Sequence, residues 1–361
     1  MEKMALIMES VNSEFWRGKR VFLTGHTGFK GSWLSLWLQS MGAELFGLAL
    51  DPPTRPSLYE AVRIGEGMSS KICDVRDYDA VHGAMQTFKP DIVIHMAAQP
   101  LVRYSYHAPV ETYATNVMGT VNLLEAARQV GTMGAIINVT TDKCYENKEW
   151  VWGYREDEPM GGHDPYSNSK GCSELVTRAY RRSFLQEMGI SLASARAGNV
   201  IGGGDWAEDR LVPDILRAFG QNEAVVVRNP LATRPWQHVL EPLSGYLILA
   251  ERSFNERQEF AQGWNFGPHD DDVCNVQWIV DHMVQAWGNG ASWKLEEADQ
   301  PHEANYLKLD ISKARTKLGW SPRWDLSTTL DQIIDWHQSW VEEGDIQAKC
   351  LQQINQYNSS I

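Results

Sequence analysis

Residues 20–31 read RVFLTGHTGFKG, in which a short apolar run ends at Thr24 and three glycines follow at intervals of three residues. The apolar stretch 33–38 comes next. A strand, a glycine turn and a helix are predicted, which is the order of a dinucleotide-binding unit. The glycines allow the backbone to approach a pyrophosphate, and the first helical turn offers free N–H groups. The spacing G-x-x-G-x-x-G differs from G-x-G-x-x-G, so the motif alone is also compatible with an ordinary glycine loop.

A second predicted strand, residues 44–50, ends at Asp51, which follows Gly31 by 20 residues. At this interval a carboxylate accepts hydrogen bonds from the adenosine ribose diol and repels a 2′-phosphate. The position therefore favours NAD over NADP. The alternative is that Asp51 merely opens the turn at Pro52-Pro53.

Composition narrows the class of protein. The chain has 361 residues, 43% of them hydrophobic, and a formal net charge of −13. It can bury a substantial core in one large or two intimately packed domains. Its acidity argues against a general nucleic-acid surface, which needs a basic stripe. No apolar run is long enough for a membrane span, and residues 5–8 are too short for a secretory signal, so we expect a cytoplasmic protein.

The cysteines and histidines show no metal-binding pattern. Five cysteines are scattered without a Cys-x-x-Cys pair, which suggests neither a disulfide framework nor a zinc knuckle. His302-Glu303 lacks a second histidine at metal-ligand spacing. No metal is predicted.

Short apolar runs alternate with helical patterns up to residue 198, as in a parallel sheet covered on both faces. We expect an N-terminal extension over residues 1–17, followed by an α/β Rossmann domain with a doubly wound parallel sheet over 18–198. Later segments would complete part of the sheet. A smaller, interleaved α/β region over 199–361 would bind substrate, and a closing amphipathic helix is predicted over about 326–347.

Two further segments carry the chemistry of a hydroxyl group: TTDKCY at 140–145 and PYSNSK at 165–170. In a helix, Tyr166 and Lys170 share a face, so the ammonium can favour a phenolate. A Tyr-x-x-x-Lys pair alone is weak evidence. Thr141, Asp142 and Lys143 add a proton donor, an acid and an amine.

With these motifs the chain resembles the extended short-chain dehydrogenase/reductase family, and within it the nucleotide-sugar 4,6-dehydratases, over nearly its whole length. The motifs are Gly25-x-x-Gly28-x-x-Gly31, Asp74-Val75, His95-Met96-Ala97-Ala98, Asn116-Val117-x-Gly119-Thr120, Tyr166-x-x-x-Lys170 and Arg196-x-x-Asn199-Val200-x-Gly202. The resemblance implies that NAD is held by Gly25, Thr27, Gly28, Phe29, Lys30, Gly31, Asp51, Asp74, Val75, Ala97, Ala98, Asn116, Tyr166 and Lys170.

The resemblance also implies CDP-glucose as the substrate, because Thr141-Asp142-Lys143 has lysine where the dTDP-glucose branch has glutamate. The implied reaction oxidises C4, eliminates water across C5 and C6, and returns hydride to C6. Tyr166 would take the O4 proton, with Lys170 and the nicotinamide lowering a phenol pKa that starts near ~10. Thr141 would hold O4.

The roles of Asp142 and Lys143 follow from the same resemblance. A protonated Asp142 could donate to the departing O6 hydroxyl. Lys143 is the candidate base at C5, for which it must be neutral; alternatively it stays charged and stabilises the enolate oxygen. Arg210 and Arg234 are expected to bind the diphosphate and Asn199 the substrate, although surface arginines and a turn asparagine are the plainer alternatives.

Other functions and the assembly also follow from comparison with this family. A nucleotide-sugar 4-epimerase would use the same tyrosine and lysine but needs no acid and base for elimination. A non-catalytic NAD-sensing protein could retain the same fold. The helices predicted near 112–130 and 166–188 are expected to form a homodimer.

Overall fold

The structure is a computed structural model that describes residues 8–288, 290–296 and 307–360. The strands are β1 Arg20–Thr24, β2 Glu44–Ala49, β3 Ser69–Ile72, β4 Ile92–His95, β5 Ala135–Val139, β6 Ser191–Ala197, β7 Val200–Ile201, β8 Val225–Val227, β9 Gln237–His238, β10 Gly263–Phe266 and β11 Trp293–Leu295. The α-helices are α1 Ser13–Trp16, α2 Phe29–Ser40, α3 Leu58–Ala61, α4 Tyr78–Phe88, α5 Val102–His107, α6 Pro109–Tyr113, α7 Gly119–Val130, α8 Pro165–Tyr180, α9 Leu211–Gly220, α10 Leu240–Glu256, α11 Val276–Trp287, α12 Leu326–Val341 and α13 Ile346–Ser359.

Within the described ranges, seven strands form one sheet in the order β3-β2-β1-β4-β5-β6-β10. Every neighbouring pair is parallel, and Val21 of β1 lies between Leu45 and Ile92. The order reverses at β1, which opens a crevice at the carboxyl ends of β1 and β4. The predicted α/β Rossmann fold is confirmed, and its seventh strand, β10, comes from the later part of the chain.

The two faces of this sheet bury alternate residues of the same strands. Val21 and Leu23 pack with α2, α10 and α13, whereas Phe22 between them packs with α4 and α7. Successive side chains of a strand point to opposite faces, so a strand covered on both sides is apolar throughout. This is why residues 21–23 read as a continuous apolar run.

A third core lies beyond the sheet and is formed by α9, α11, α12 and β8. Helix α12 joins it to the main core, because Leu330 and Ile333 face the third core while Trp336 packs in the first. Strand β8 pairs in parallel with β11, and β7 pairs with β9. The C-terminal region is thus packed directly onto the Rossmann sheet.

The closing helix differs from its prediction over 326–347. Helix α12 ends at Val341, and α13, which was not predicted, begins at Ile346. Glu343 has a φ of 56° and Gly344 follows. The prediction was wrong because Gly344, a helix-stop signal, lies inside the predicted range.

Helix α8 begins where its sequence directs it to begin. Asp164 accepts a hydrogen bond from Ser167 N at 2.9 Å, and Pro165 occupies the first helical position, where its missing N–H costs nothing. The cap places Tyr166 in the first turn, beside the end of β5. Helix α6 runs through a π-helical turn, Ala114–Met118, into α7.

No described helix is both long and apolar enough to cross a bilayer. Among the described residues, no group of three or more His, Cys, Asp or Glu side chains could hold a metal ion. Positions 302 and 303, and residues 1–7 of the expected N-terminal extension, lie outside the described residues.

Candidate active site

The glycine turn forms a cradle at the carboxyl end of β1. Gly25 has a φ of 79°, and a Cβ there would lie 2.8 Å from Ala97 N. A Cβ on Gly31 would collide with the Gly25 carbonyl group. Gly28 precedes α2 and provides no side-chain cap, which leaves first-turn N–H groups for an anion. The cradle fits the pyrophosphate of a dinucleotide.

The loop after β4 is held against this cradle by Thr24 and His95. Thr24 Oγ1 accepts hydrogen bonds from Met96 N and Ala97 N, each at 3.1 Å, and lies 2.7 Å from His95 Nδ1. Burial lowers the pKa of His95 to about 3, and the charge of Lys170 acts in the same direction. His95 is therefore neutral and supports the loop that carries Ala97 and Ala98.

The predicted adenosine contacts lie at the ends of neighbouring strands. Asp51 is exposed after β2, and Thr27 Oγ1 donates to Leu50 O at 2.8 Å, which ties the glycine turn to this strand end. Asp74 follows β3, and a hydrogen bond from Arg76 lowers the pKa of its carboxyl. Residues 51 and 74 thus border the crevice in which a nucleotide binds to such a sheet.

Asn116 joins the crevice to the helix of Tyr166. Its Oδ1 accepts from Gln99 N at 2.9 Å, while its Nδ2 donates to Gln99 O at 3.1 Å and to Ser169 Oγ at 2.8 Å. Asn116 is buried, and these contacts occupy both ends of its amide. In the structure, Asn116 therefore holds the loop 97–101 against α8.

Tyr166 and Lys170 are both buried on α8. Burial raises the pKa of Tyr166 to about 12, against a hydrogen bond with Thr141 and the charge of Arg210. Burial likewise lowers the pKa of Lys170 to about 8, against the charge of Glu174, and its Nζ donates to Val139 O at 3.3 Å. Among the protein groups, desolvation of the Tyr166 phenol thus outweighs the hydrogen bond and the charge that lower its pKa.

Asp142 lies at the end of β5 with only 1% of its surface exposed. Its Oδ1 accepts a hydrogen bond from Thr141 Oγ1 at 2.9 Å. Its Oδ2 is buried and has no hydrogen-bond partner among the residues the structure describes. Thr141 also acts to lower the pKa of Tyr166, so this residue lies close to both the phenol and the carboxyl. A buried carboxyl oxygen without a partner is available to a ligand hydroxyl.

Lys143 follows in the same short turn, Asp142–Cys144. The backbone N–H of Lys143 donates to Thr141 Oγ1 at 3.4 Å, and its side chain is half-buried. Cys144, next in the turn, is buried in the protein. The turn therefore places an acid and an amine side by side, one inside the protein and the other at its edge.

Lys30, predicted at the cofactor, also belongs to this acid–base cluster. Its Nζ donates to Tyr246 Oη at 3.1 Å. Burial lowers the pKa of Lys30 to about 7, helped by the charges of Lys170 and Arg210 and opposed by Asp142. Tyr246 is buried on α10 and was missed from the sequence. The sequence offered one indication that Lys30 needs a buried partner, because it is a charged residue at the start of the otherwise apolar helix α2.

A buried ion pair beneath the cluster was also missed. Arg196 Nη2 lies 2.7 Å from Glu174 Oε2, and Arg196 Nε donates to Oε1 at 2.9 Å. Thr140 and Ser194 donate to the same carboxylate, and Arg196 Nη1 donates to Tyr145 Oη at 2.7 Å. The pair therefore connects α8 and β6 with both ends of the turn that carries Asp142. The sequence feature that could have indicated a buried partner for Glu174 is its position on α8, one helical turn after Lys170.

The three predicted substrate residues differ in how the structure places them. Arg210 is one-third exposed, pairs with Asp205 at 2.7 Å, and is close enough to lower the pKa values of Lys30 and Tyr166. Asn199 has a φ of 40°, a region in which asparagine is among the better-tolerated residues. Arg234 Nη1 donates to Thr233 O at 3.0 Å. Arg210 thus lies near the acid–base cluster, and Asn199 directly follows Gly198, which faces the Asp142 carboxyl.

A family model described as GDP-mannose 4,6 dehydratase matches residues 22–333. The chain belongs to the GDP-mannose 4,6 dehydratase family. The resemblance to nucleotide-sugar 4,6-dehydratases is thus confirmed. Within this family, a CDP-glucose 4,6-dehydratase from Salmonella typhimurium is 59% identical over 355 residues, covering 97% of this chain and 99% of the relative.

Solved structures of nucleotide-sugar enzymes share the fold of this GDP-mannose 4,6 dehydratase family member. A UDP-glucose 4-epimerase from Thermotoga maritima has a TM-score of 0.79 at 20% identity and covers 89% of this chain and 99% of its own. A dTDP-glucose 4,6-dehydratase from Streptomyces venezuelae, solved with NAD bound, has a TM-score of 0.77 at 20% identity. The match covers 91% of this chain and 99% of the dehydratase chain. Dehydratase and epimerase structures match almost equally well, so these likenesses show the fold alone.

Proposed function

We propose that the chain is an NAD-dependent CDP-glucose 4,6-dehydratase, a hydro-lyase that converts CDP-D-glucose to CDP-4-keto-6-deoxy-D-glucose. The observation that carries the proposal is the buried carboxyl of Asp142, which lies beside Lys143 and bonds to Thr141, a residue that also acts on Tyr166. Its Oδ2 has no hydrogen-bond partner within the described ranges. Removing water from a sugar needs a proton donor and a proton acceptor in addition to the Tyr166 pair, whereas epimerisation at C4 does not. The high identity to the Salmonella typhimurium relative supports CDP-glucose as the substrate.

The cradle around Gly25 and Gly31 and the border at Asp51 and Asp74 would hold NAD. When bound, NAD accepts hydride from C4, returns it to C6, and favours an ionised phenol through its positively charged ring. Asp51 would accept hydrogen bonds from the ribose diol, and the first turn of α2 would receive the pyrophosphate.

Tyr166 would take the proton from O4 as the C4 hydrogen leaves. Bringing this phenol from a pKa of about 12 to neutrality requires ~7 kcal/mol of preferential stabilisation of the phenolate. Lys170, Lys30 and Arg210 are basic groups of this cluster, and the charge of Arg210 acts directly to lower the pKa of the phenol. Thr141, which lies close to the phenol, would orient O4 through its own hydroxyl.

The elimination would use Asp142 and Lys143 on the 4-keto sugar. A neutral Lys143 amine takes the C5 proton, and the electrons delocalise into the ketone. Protonated Asp142 donates to O6 as the C6–O6 bond breaks, so that water leaves and Asp142 becomes a carboxylate. Lys143 then returns its proton to C5 as hydride is added to C6.

Arg210 is proposed to bind the substrate diphosphate, with Arg234 and Asn199 completing the substrate contacts. A guanidinium fork matches phosphate oxygens, and Arg210 already lies near the phenol. Its partner Asp205 would orient the guanidinium toward the site.

We also propose that the protein is a cytoplasmic homodimer. Val110 on α6, Met118 in the π-helical turn and Leu175 on α8 are 81%, 52% and 53% exposed. These residues lie on helical segments that pack against one another. In a homodimer, each copy of the chain would cover this apolar surface on the other copy. All five cysteines are free, as expected in a reducing compartment.

Incubation of the protein with CDP-glucose, with and without added NAD, tests the proposed reaction when the products are identified by mass. Loss of one water is expected. An isomer of unchanged mass would identify an epimerase instead, and NAD binding without turnover of any nucleotide glucose would identify a sensor. Parallel reactions with dTDP-glucose and GDP-mannose test the base preference.

A further inference from the structure

Gly198, in the loop after β6, lies directly against the carboxyl group of Asp142. If a Cβ is built on Gly198, its three nearest atoms all belong to the Asp142 carboxyl group. Two of these contacts would be far inside van der Waals distance, and the third, to Oδ1, would be 2.9 Å. The Asp142 carboxyl therefore occupies space that any other residue at position 198 would fill.

The backbone at Gly198 cannot easily move away. Gln237 Nε2 donates to Gly198 O at 3.2 Å and to Phe266 O at 3.0 Å, and Gln237 N donates to Asn199 O at 3.2 Å. Gln237 is itself buried on β9. A side chain at position 198 would thus displace the carboxyl rather than the loop.

The other side of the carboxyl is also fixed. Thr140 N donates to Ala195 O at 2.8 Å, which pins the end of β5 to β6. Asp142 Oδ1 bonds to Thr141, so rotation of the carboxyl away from Gly198 breaks this contact. Oδ2, which has no partner among the described residues, would leave its present position as well.

We propose that Gly198 is a positioning residue for elimination: its missing side chain lets the Asp142 carboxyl occupy the place from which it protonates O6. The inference rests on the proposed function, because it assumes that Asp142 is the acid. Gly198 acts through Asp142 and not on C4, so the oxidation by Tyr166 should continue when Gly198 is replaced.

The test is a double-mutant cycle of Gly198→Ala and Asp142→Ala in the NAD-loaded protein, with CDP-glucose in a single turnover. Reduced cofactor reports oxidation at C4, and product mass reports loss of water. Asp142→Ala should slow elimination about 10²–10⁴-fold, and Gly198→Ala at least about tenfold, with reduced cofactor accumulating in both. In the Asp142→Ala background, Gly198→Ala should have no further effect on elimination.

Thermal unfolding gives a second readout that does not depend on activity. Gly198→Ala should lower Tm by roughly 2–6 °C through overpacking, and adding Asp142→Ala should restore most of that loss. Gly83→Ala is the matched control, because a Cβ at this exposed site on α4 meets nothing within 4 Å. The control should retain the turnover of the wild type.

Elimination at the wild-type rate in Gly198→Ala, or an equal further loss when both substitutions are combined, would overturn the inference. The inference would also be overturned if Gly198→Ala unfolds and Asp142→Ala does not restore its folding. The new methyl group would then clash with atoms other than the Asp142 carboxyl. If the wild type releases no water from CDP-glucose, the proposed function fails, while the Tm cycle still shows whether Gly198 makes room for the carboxyl.

Discussion

Replacing Glu174 with Gln should weaken the fold and alter the pH dependence of the first oxidation. The substitution keeps the shape of the side chain but removes the negative charge opposite Arg196, whose side chain is 3% exposed. Breaking a buried pair in this way typically costs about 3–5 kcal/mol, because the remaining charge is buried without compensation. Thr140 and Ser194 also lose a charged acceptor, which favours the upper part of this range.

The same change acts on Lys170. The charge of Glu174 raises the pKa of Lys170 against the effect of burial, so its removal should lower that pKa further below about 8. The ammonium needed beside Tyr166 is then lost at a lower pH. In single turnovers with CDP-glucose, the alkaline limit of cofactor reduction should move to lower pH in Glu174→Gln.

Urea unfolding measures the stability difference, and Glu125→Gln provides the control. Glu125 also pairs with an arginine, Arg128, at 2.7 Å, but on the surface of α7, where such a pair contributes about 0.5 kcal/mol. A loss below about 1 kcal/mol in Glu174→Gln, or a loss equal to that of the control, would refute the assigned importance of the buried pair. An unchanged alkaline limit would refute its influence on Lys170.

Three other predictions concern single residues. Burial raises the pKa of Glu241 from 4.5 to about 7, so ionising this group should remove ~3 kcal/mol of unfolding free energy as pH rises through this range. Urea unfolding at pH 5 and pH 8 should therefore show a loss that is ~3 kcal/mol smaller in Glu241→Gln than in the wild type. Equal pH dependence in both proteins would contradict this. Tyr166→Phe should slow reduction of the bound cofactor by about 10²–10⁴-fold in stopped-flow absorbance, and reduction at the wild-type rate would contradict its role. Lys143→Met should oxidise C4 but stall there with reduced cofactor on the enzyme, and normal turnover would show that its assignment is wrong.

The sequence predicted the elements whose patterns are local. The apolar run 21–23 and the glycines after it are a strand and a turn because burial on both faces and close backbone approach leave a direct imprint on residue type. The turn at Asp142 and the helix at Tyr166 were also identified, through motifs whose order along the chain matches that of a known family. These features need no knowledge of distant contacts.

What the sequence did not predict depends on residues far apart in the chain. Tyr246 reaches Lys30 from α10, 216 positions away, and Arg196 reaches Glu174 across the boundary of helix and sheet. The raised pKa of Tyr166 has the same origin, since the extent of its burial is set by the whole fold. Spacing can place two side chains on one helix face, but it does not measure how much water surrounds them.

The most direct test of the account follows one hydrogen atom through the reaction. The protein is loaded with NAD and given CDP-glucose that carries deuterium at C4, and the product is analysed by mass and NMR. We expect a 4-keto-6-deoxy sugar that has lost one water and carries the deuterium at C6. A product of unchanged mass with deuterium still at C4 would contradict it, because Asp142 and Lys143 would then not be eliminating water.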